Sequence, residues 1–260
     1  MLFRSMPECI TSLQNPHIQK LRRLLGDRRE RDESGLFVAE GRRLCEDAMA
    51  APGIAARAVY GTERQLRDFN PGDVSVYEIA DALAAKIGET KSPQGIFVLC
   101  EKPAATPFVG MDGGKYLLLH DLQDPGNIGA IIRTAEALGI DALLLSESCP
   151  DLFGPKVLRA GMGGSFRLSC HVTADISAAI KNLRESGVTV CAAALTPDAV
   201  PLTRMSFPAS CAVLIGNEGN GLPGDLIALC DAAVEIPMRK AANSLNAAAA
   251  AAILIWEMTK

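Results

Sequence analysis

The stretch YLLLHDLQDPGNIGAIIRTAEALGIDALLLSE, residues 116–147, decides the fold class of this chain. An apolar run, YLLL, is followed by the turn residues Asp-Pro-Gly, by a helical pattern and by a second apolar run, ALLL. Continuous apolar runs of this length are typical of strands in a parallel sheet that helices cover on both faces. The stretch therefore predicts a β–α–β unit in an α/β fold.

The same alternation of apolar runs and helical patterns continues to residue 260. We predict these further elements in order: a helix with a glycine-rich turn over 155–165, a short strand over 167–170, a helix over 174–186, strands over 188–195, 211–216 and 233–238, and a final helix from Ser244 to Met258. Residues 115–260 are therefore predicted to form one α/β domain with a parallel sheet.

Residues 1–101 show a second, less apolar alternation. Asn15-Pro16 is typical of a helix start and opens a basic helix that is predicted to reach Arg31. Strands are predicted over 36–40, 57–60, 74–79 and 95–101, with helices over 41–50 and 80–87 and a helical segment between the second and third strands. These elements predict a small α/β domain. Residues 102–114, rich in proline, glycine and alanine, are predicted to be the linker.

The composition is typical of a globular protein without a membrane segment. Hydrophobic residues make up 48% of the 260 residues and charged residues 22%. The longest apolar stretch, Leu245 to Trp256, is well below the ~20 residues that span a bilayer, and no secretory signal pattern is visible. Eight cysteines occur singly, beside three histidines, which favours free thiols in a reducing cytoplasm over disulfides or a metal site.

The net charge of −4 does not by itself favour RNA as a partner, but the charge is unevenly distributed. Between His17 and Arg31 lie six basic residues, against Asp27 and Glu30. A solvated helix face and an RNA-binding face explain this surplus equally well. Aromatic residues are only 5% of the chain, which argues against binding RNA by stacking many successive bases, without excluding it.

Three segments that follow predicted strands carry polar residues at the place where α/β sheets usually bind ligands. In the first, residues 121–140, Asp-Pro-Gly forms a turn and Asn127 is predicted to begin and cap the next helix. Gly129 permits a close approach at the helix start, and Arg133 lies in an apolar run. This arginine either reaches solvent from an otherwise buried helix or binds a phosphate.

The second segment, LIGNEGNGLP at 214–223, alternates glycine with asparagine and glutamate, including Glu218. It is either a plain glycine-rich turn or a loop whose backbone closely meets a ligand.

The third segment, 234–257, passes from Ile236-Pro237-Met238 through Ser244-Leu245-Asn246 into an alanine-rich helix. So many alanines indicate close packing of that helix against another backbone. A ligand wall and a subunit interface explain this equally well.

Several common motifs are missing from the sequence. There is no GxGxxG after the first strand of the second domain, no P-loop, no HExxH and no GxSxG. GMGGSF at 161–166 follows a predicted helix, which is the wrong place for a dinucleotide fingerprint. These absences argue against a dinucleotide-binding or ordinary Rossmann methyltransferase fold, a metal site and a nucleophilic serine.

Taken together, the three segments resemble the three signature motifs of the SpoU/TrmH family of RNA ribose 2′-O-methyltransferases, in the SPOUT superfamily. Asn127-x-Gly129-x-x-x-Arg133-Thr134 is similar to the first motif and GNEGNGL at 216–222 to the second. Ile236-Pro237-Met238 followed by Ser244-Leu245-Asn246 is similar to the third. Order and spacing match over about 115–258. Residues 1–101, chiefly ITSLQNPHIQKLRRL and FVAEGRRL, resemble the substrate-binding domain of the family less specifically.

The resemblance implies a fold and partners that the residue pattern does not reveal. It implies a deep trefoil knot in the C-terminal domain, with S-adenosylmethionine bound in a bent conformation within it. It also implies a homodimer packed around the knot and the last helix, and an RNA substrate methylated on a ribose 2′-hydroxyl. The separate N-terminal domain favours ribosomal RNA over transfer RNA.

The resemblance further implies roles for individual residues. The positions matched to backbone contacts with S-adenosylmethionine are Gly216, Ile236 and Leu245, and those expected to complete the pocket wall are Ile215, Met238, Ser244 and Asn246. Arg133 matches the proposed catalytic arginine, with Asn127 and Glu218 beside it. Family proposals make this arginine a base, but a guanidinium keeps its proton in proteins. We therefore favour phosphate binding and stabilisation of the developing alkoxide.

Four positions depart from the family pattern. Lys240 stands where glycine is common, Asn243 where glutamate often precedes Ser-Leu-Asn, Ala248 where a small polar residue is frequent, and Gly161 where serine is frequent. We expect these changes to affect the rim of the site and the substrate rather than cofactor binding. Two alternatives stay open: a catalytically silent RNA-binding or assembly protein on the same fold, and a methyltransferase that acts on a base or a small molecule.

Overall fold

A computed structural model describes residues 9–88, 93–104, 108–239 and 244–260. Two positions that depart from the family pattern, Lys240 and Asn243, lie outside the described residues. The chain forms two compact units. The first contains the described residues up to Ala104 together with Phe153–Phe166, and the second contains the described residues of Ala105–Leu152 and Arg167–Lys260.

The first unit has a mixed four-stranded sheet. Its strands are β1 (Leu36–Glu40), β2 (Ala55–Gly61), β3 (Ser75–Glu78) and β4 (Ile96–Glu101), and the helices between residues 9 and 88 are α1 (Pro16–Gly26), α2 (Arg28–Ser34), α3 (Arg42–Ala50), α4 (Glu63–Leu66) and α5 (Asp81–Ile87). The sheet order is β1-β4-β2-β3, with β4 antiparallel to both neighbours and β2 parallel to β3. The predicted strands and helices of this region are confirmed, apart from the basic helix.

The prediction of one basic helix from Asn15 to Arg31 is wrong, because the segment forms two helices. Asn15 caps α1 as expected, since its side chain accepts the His17 N–H at 2.9 Å. After α1, Asp27 is extended (φ −124°, ψ 118°), and its carboxylate accepts the Arg29 N–H at 2.8 Å. Aspartate is more favourable as the cap of a new helix than inside a continuing one.

The basic residues of this segment are mostly neutralised. Three of the six form ion pairs: Arg23–Glu30, Arg28–Asp32 and Arg29–Glu33. Arg31 is buried and donates to two backbone carbonyls at the end of α1. Within the described parts of the chain, Lys20 and Arg22 are the two members of this group that make no ion pair. The free positive charge is smaller than expected, because two acids directly follow the segment.

The remaining elements alternate between helix and strand. In chain order they are β5 (Lys115–Leu119), α6 (Pro125–Ala137), β6 (Ala142–Ser146), α7 (Pro155–Gly161), β7 (Ser169–Thr173), α8 (Ile176–Glu185), β8 (Thr189–Ala193), β9 (Val200–Pro201), β10 (Cys211–Ile215), α9 (Gly224–Leu229), β11 (Ala232–Glu235) and α10 (Ala247–Thr259). Strand β9 and helix α9 were not predicted. With two and six residues, they are too short to show a period.

The second unit is built on a seven-stranded sheet in the order β7-β6-β5-β10-β8-β11-β9. Every neighbouring pair is parallel, so the predicted parallel sheet is confirmed. Strand β10 is fully buried and pairs with β5 and β8. Parallel strands bring their carboxyl ends to one edge, where ligands usually bind. Here that edge receives the loops after β5, β8, β10 and β11.

The segment Phe153–Phe166, which contains α7, clusters with the first unit. The rings of Phe153 and Phe166 pack against Phe37 of β1, with centroids 4.8 Å and 5.7 Å away. Arg159 on α7 also donates to the buried carboxylate of Glu40 at 3.3 Å. Such distant contacts have no signature in the local sequence pattern. The division into 1–101, a linker and 115–260 stays a prediction.

The alanine-rich helix α10 packs against α6 and β10. Its buried face includes Ala247, Ala251 and Leu254, and the small side chains permit a close approach. The trefoil knot implied by the family resemblance stays a prediction. No helix in the described ranges is long and apolar enough to cross a membrane.

We expect Arg31→Ala to destabilise the protein by about 1–3 kcal/mol, because it leaves two buried carbonyls without their donor. The matched control is Arg29→Ala on the same helix. Its side chain is 82% exposed, so the loss of its ion pair should cost at most about 0.5 kcal/mol. Urea unfolding followed by circular dichroism measures both. Equal midpoints for the two variants would contradict the capping role of Arg31.

Candidate active site

The three segments singled out in the sequence meet at the carboxyl edge of the seven-stranded sheet. The first leaves β5, the second leaves β10 and the third leaves β11 toward α10. Strand β10 lies between β5 and β8, and β11 pairs with β8 on its other side. The strand order therefore brings together loops that lie about a hundred residues apart in the chain.

The side chain of Asn127 joins all three segments through two hydrogen bonds. Its amide nitrogen donates to a carboxylate oxygen of Glu218 at 2.9 Å. Its amide oxygen accepts from the side-chain nitrogen of Asn246 at 2.9 Å. Asn127 is 8% exposed, and a buried amide needs partners at both ends. This one residue thus fixes the first, second and third segments relative to one another.

The predicted capping role of Asn127 is wrong. Helix α6 begins at Pro125, and its N-cap is Asp124, whose carboxylate accepts the Gly126 N–H at 2.7 Å. Asn127 lies within the first turn of the helix, which leaves its side chain available for the bridge. Asn246 does cap its helix, accepting the N–H groups of Ala248 and Ala249 at the start of α10.

Glu218 is held by hydrogen-bond donors from the start of α6. Besides the Asn127 amide, the backbone N–H groups of Gln123 and Asp124 donate to it at 3.0 Å and 3.4 Å. Partial burial alone would raise the pKa of Glu218, but these donors outweigh it and hold the pKa below its ordinary value of 4.5. The carboxylate is therefore ionised at neutral pH. It is engaged in fixing loops and is poorly suited to accept a proton.

Asn217 shapes the second segment, although it was not among the predicted site residues. Its side-chain nitrogen donates to the Asp121 carbonyl at 2.7 Å, and its oxygen accepts the N–H groups of Gly219 and Asn220 at 2.9 Å each. Asp121 has φ 55°, a left-handed conformation that residues other than glycine rarely adopt. The role of Asn217 could have been predicted from its place in the glycine-rich loop, since the asparagine side chain often closes turns by hydrogen bonds to the backbone.

We call the hydrogen-bonded set Glu218, Asn127 and Asn246 the junction. A pocket of about 430 Å³ lies beside it. Of the seven residues predicted to bind the cofactor, six line it: Ile215, Gly216, Ile236, Met238, Ser244 and Leu245. Asn246 does not line the pocket and instead acts through Asn127 and the α10 cap. Among the catalytic candidates, Glu218 is at the pocket wall. Ala193, Ala194 and Leu195 also line it and were missed, although they end a predicted strand at the ligand edge of the sheet.

Gly216 is required where the backbone of the second segment folds back. A Cβ atom at this position would lie 2.5 Å from the carbonyl oxygen of Gly221, far inside contact distance. Asn217 and Gly221 pair across the loop through two backbone hydrogen bonds of 2.9 and 3.1 Å. The glycine therefore lets the loop close and leaves backbone groups facing the pocket.

Arg133 is not brought into the pocket. It lies on α6, two turns beyond Asn127, and its side chain is exposed to solvent. Its side chain makes no hydrogen bond or ion pair with any residue that the structure describes. This position fits the first of the two interpretations of Arg133, a side chain that reaches solvent from an otherwise buried helix. The guanidinium is equally free to bind an external anion.

Comparison with protein families agrees with this geometry. The model of the SpoU rRNA methylase family matches residues 114–256, and the model of the MRM3-like substrate binding domain matches residues 15–98. The chain belongs to the SpoU rRNA methylase family. The matched range contains all three loops of the junction.

Individual relatives cover nearly the whole chain. The 23S rRNA (guanosine(2553)-2′-O)-methyltransferase RlmP of Bacillus subtilis is 31% identical, over 96% of this chain and 98% of that protein. The 23S rRNA (uridine(2479)-2′-O)-methyltransferase of Streptomyces viridochromogenes is 29% identical, over 96% and 91%. The crystal structure of an AdoMet-bound rRNA methyltransferase from Sinorhizobium meliloti has a TM-score of 0.85 at 30% identity, covering 96% of this chain and 97% of that one.

For this SpoU family member we expect Gly216→Ala to weaken S-adenosylmethionine binding by roughly tenfold or more, since the added methyl group overpacks a backbone contact. Gly224→Ala is the control just after the same loop, because a Cβ there has nothing within 4 Å and the residue does not line the pocket. Isothermal titration calorimetry measures both variants. Equal affinities would show that loop closure at Gly216 does not shape the pocket.

Proposed function

We propose that this protein transfers the methyl group of S-adenosylmethionine to a ribose 2′-hydroxyl of ribosomal RNA. The observation that carries the proposal is the Glu218–Asn127–Asn246 junction, which fixes three loops beside a pocket at the ligand edge of the sheet. Family membership and the names of the relatives support the same reaction.

The pocket fits S-adenosylmethionine in size and chemistry. Its volume of about 430 Å³ lies within the range of roughly 300–1,000 Å³ that small-molecule sites occupy. Ile215, Ile236 and Leu245 offer apolar surface, while Gly216 presents backbone groups without a side chain in the way. When bound, S-adenosylmethionine supplies an electrophilic methyl group on a sulfonium.

The protein's own residues divide into positioning and charge-stabilising groups. Asn127, Glu218 and Asn246 hold the loops, so their contribution is the alignment of the bound partners. Arg133 is the basic residue of α6, and its side chain makes no ion pair with the described part of the chain. In this proposal it binds a phosphate next to the target ribose and stabilises the negative charge that develops on the 2′-oxygen. As the bond from the 2′-oxygen to the methyl carbon forms, the carbon–sulfur bond breaks and the hydroxyl proton passes to solvent water.

Ribosomal RNA is the preferred substrate class. The two named relatives act on 23S rRNA according to their names, and both align with nearly the whole of this chain. The match of residues 15–98 to a substrate binding domain provides the part that would recognise a large RNA.

We also propose a homodimer formed through α10. The exposed face of this helix carries Ala249, Ile253 and Trp256, spaced four and three residues apart. Trp256, the single tryptophan of the chain, is 59% exposed. A large exposed aromatic residue on an apolar stripe is typical of an interface.

The cytoplasm is the proposed location. All eight cysteines are free, and five of them are buried. A reducing compartment keeps such thiols unpaired, and a ribosomal RNA substrate is found there as well.

The reaction is tested by incubating the protein with methyl-labelled S-adenosylmethionine and ribosomal RNA from a strain that lacks it. We expect the label in a 2′-O-methylnucleoside after digestion. Label on a base would replace this proposal with a base methyltransferase. No label combined with RNA binding and no cofactor binding would favour the catalytically silent alternative.

In the same assay, we expect Arg133→Ala to lower kcat at least about a hundredfold, in the range measured for losing one electrostatic stabiliser. S-adenosylmethionine affinity should stay unchanged, because Arg133 does not line the pocket. Arg204→Ala is the matched control, because it removes another exposed arginine of the second unit that makes no ion pair with the described residues. Full turnover by Arg133→Ala would contradict the role given to this residue.

For the dimer, we expect Trp256→Glu to shift the protein toward monomer in sedimentation velocity, because a charge would be buried in an apolar interface. Val172→Glu replaces another exposed apolar side chain, 51% accessible on β7, and should leave the association state unchanged. An unchanged dimer in both variants would exclude the α10 face as the interface.

A further inference from the structure

Three aromatic side chains of the first unit form a cluster that the site above does not use. His17 lies in the first turn of α1, Tyr60 on β2 and Tyr77 on the edge strand β3. The ring centroids of Tyr60 and Tyr77 are 4.9 Å apart with planes at 13°. The centroids of His17 and Tyr77 are 4.4 Å apart at 38°. Two of the three tyrosines of the chain are thus stacked at one place.

The inner part of this His17–Tyr60–Tyr77 cluster is rigid. Tyr60 is 2% exposed, and its hydroxyl forms a 3.0 Å hydrogen bond with Nδ1 of His17. Burial, with a smaller effect of Tyr77, raises the pKa of Tyr60 to about 12, so its hydroxyl stays neutral. The Asn15 cap fixes the backbone of His17 at the start of α1, and the Tyr60 hydroxyl holds its ring. Fixed rings lose little conformational entropy when a ligand binds.

The outer part of the cluster reaches the surface. His17 and Tyr77 are both partly exposed, and Tyr77 lies on β3, the last strand of the sheet, beyond which Ile10 forms a single bridge to Ile79. Lys20 follows His17 by three residues on α1, so the two side chains share one side of the helix. Its ammonium group makes no ion pair with the described residues. Glu78, the residue after Tyr77 on β3, lines a cavity together with Val74 and Val76. Because side chains alternate along a strand, this acid lies on the face opposite to Tyr77.

Partly exposed, preorganised rings beside an unpaired cation fit one class of ligand. An unpaired nucleotide offers a flat base for stacking and a phosphate one backbone unit away. The low aromatic content of the chain argues against a long stacking groove, but a site for a single base needs only two rings. An acidic peptide would use the lysine and leave the rings without a function.

We propose that His17, Tyr77 and Lys20 form a single-nucleotide binding site for RNA in the first unit, with the base stacked on the rings and its phosphate at Lys20. This site rests on the proposed function, because it serves to hold the RNA that the second unit methylates. It assigns substrate affinity, rather than chemistry, to three residues outside the methyl-transfer pocket.

The test measures initial rates of methyl transfer to in vitro transcribed 23S rRNA at saturating S-adenosylmethionine, as a function of RNA concentration. We expect Tyr77→Ala and Lys20→Ala each to raise KM for RNA by about fivefold or more, the effect of losing one stacked base or one phosphate contact. The kcat value should stay within about twofold. Tyr77→Phe keeps the ring and should behave as wild type.

Two controls separate binding from folding. Lys181→Ala removes an exposed lysine of α8 in the second unit and should leave KM for RNA unchanged. Lys20→Ala truncates a side chain at the helix surface, so its result holds even where Tyr77→Ala fails to fold, as circular dichroism would reveal. An unchanged KM for RNA in Lys20→Ala and in a folded Tyr77→Ala would overturn the proposal and leave a packing cluster.

The same transcript distinguishes failure of this site from failure of the proposed function. If the wild type binds the RNA in filter-binding assays without methylating it, the methyltransferase proposal fails for this RNA. The ratio of the variant and wild-type dissociation constants from filter binding then decides on the nucleotide site. A ratio near one overturns the site, and a ratio of about five or more supports it.

Discussion

The buried amide of Asn127 is the constraint on which the site depends. An amide has a donor end and an acceptor end, and here each end is used, toward Glu218 and toward Asn246. Because Asn127 is almost fully buried, losing either partner leaves a polar group without a hydrogen bond in the interior. The three loops at the edge of the sheet are therefore interdependent, and the wall of the pocket follows from their arrangement.

The two charged side chains assigned to the site, Glu218 and Arg133, differ in whether they have partners. The Glu218 carboxylate is ionised and accepts three N–H donors, so it stabilises a loop arrangement. Arg133 has no partner among the described residues and remains available to a ligand. The same contrast holds on α1 and α2, where most arginines are paired, whereas Lys20 and Arg22 make no ion pair with residues that the structure describes. The total charge of −4 gives no hint of these local differences.

Most elements were predictable, because buried parallel strands such as β5, β6 and β10 read as unbroken apolar runs. The failures have physical reasons. Asp27 breaks the basic helix because capping a new helix is more favourable for it than continuing the old one. Asp124, one residue before Pro125, takes the cap that the sequence assigned to Asn127. The β9 and α9 elements are too short to show a period.

The α/β class, the parallel sheet and the residue types that line the pocket could be predicted from the sequence, because burial patterns and glycine-rich turns are local properties of the chain. How those residues are used became visible in the folded chain. It placed Glu218 and Asn246 on either end of one amide, left Arg133 in solvent and stacked His17 on Tyr77. Such pairings depend on strand order and on contacts between residues far apart in sequence, which no local pattern encodes.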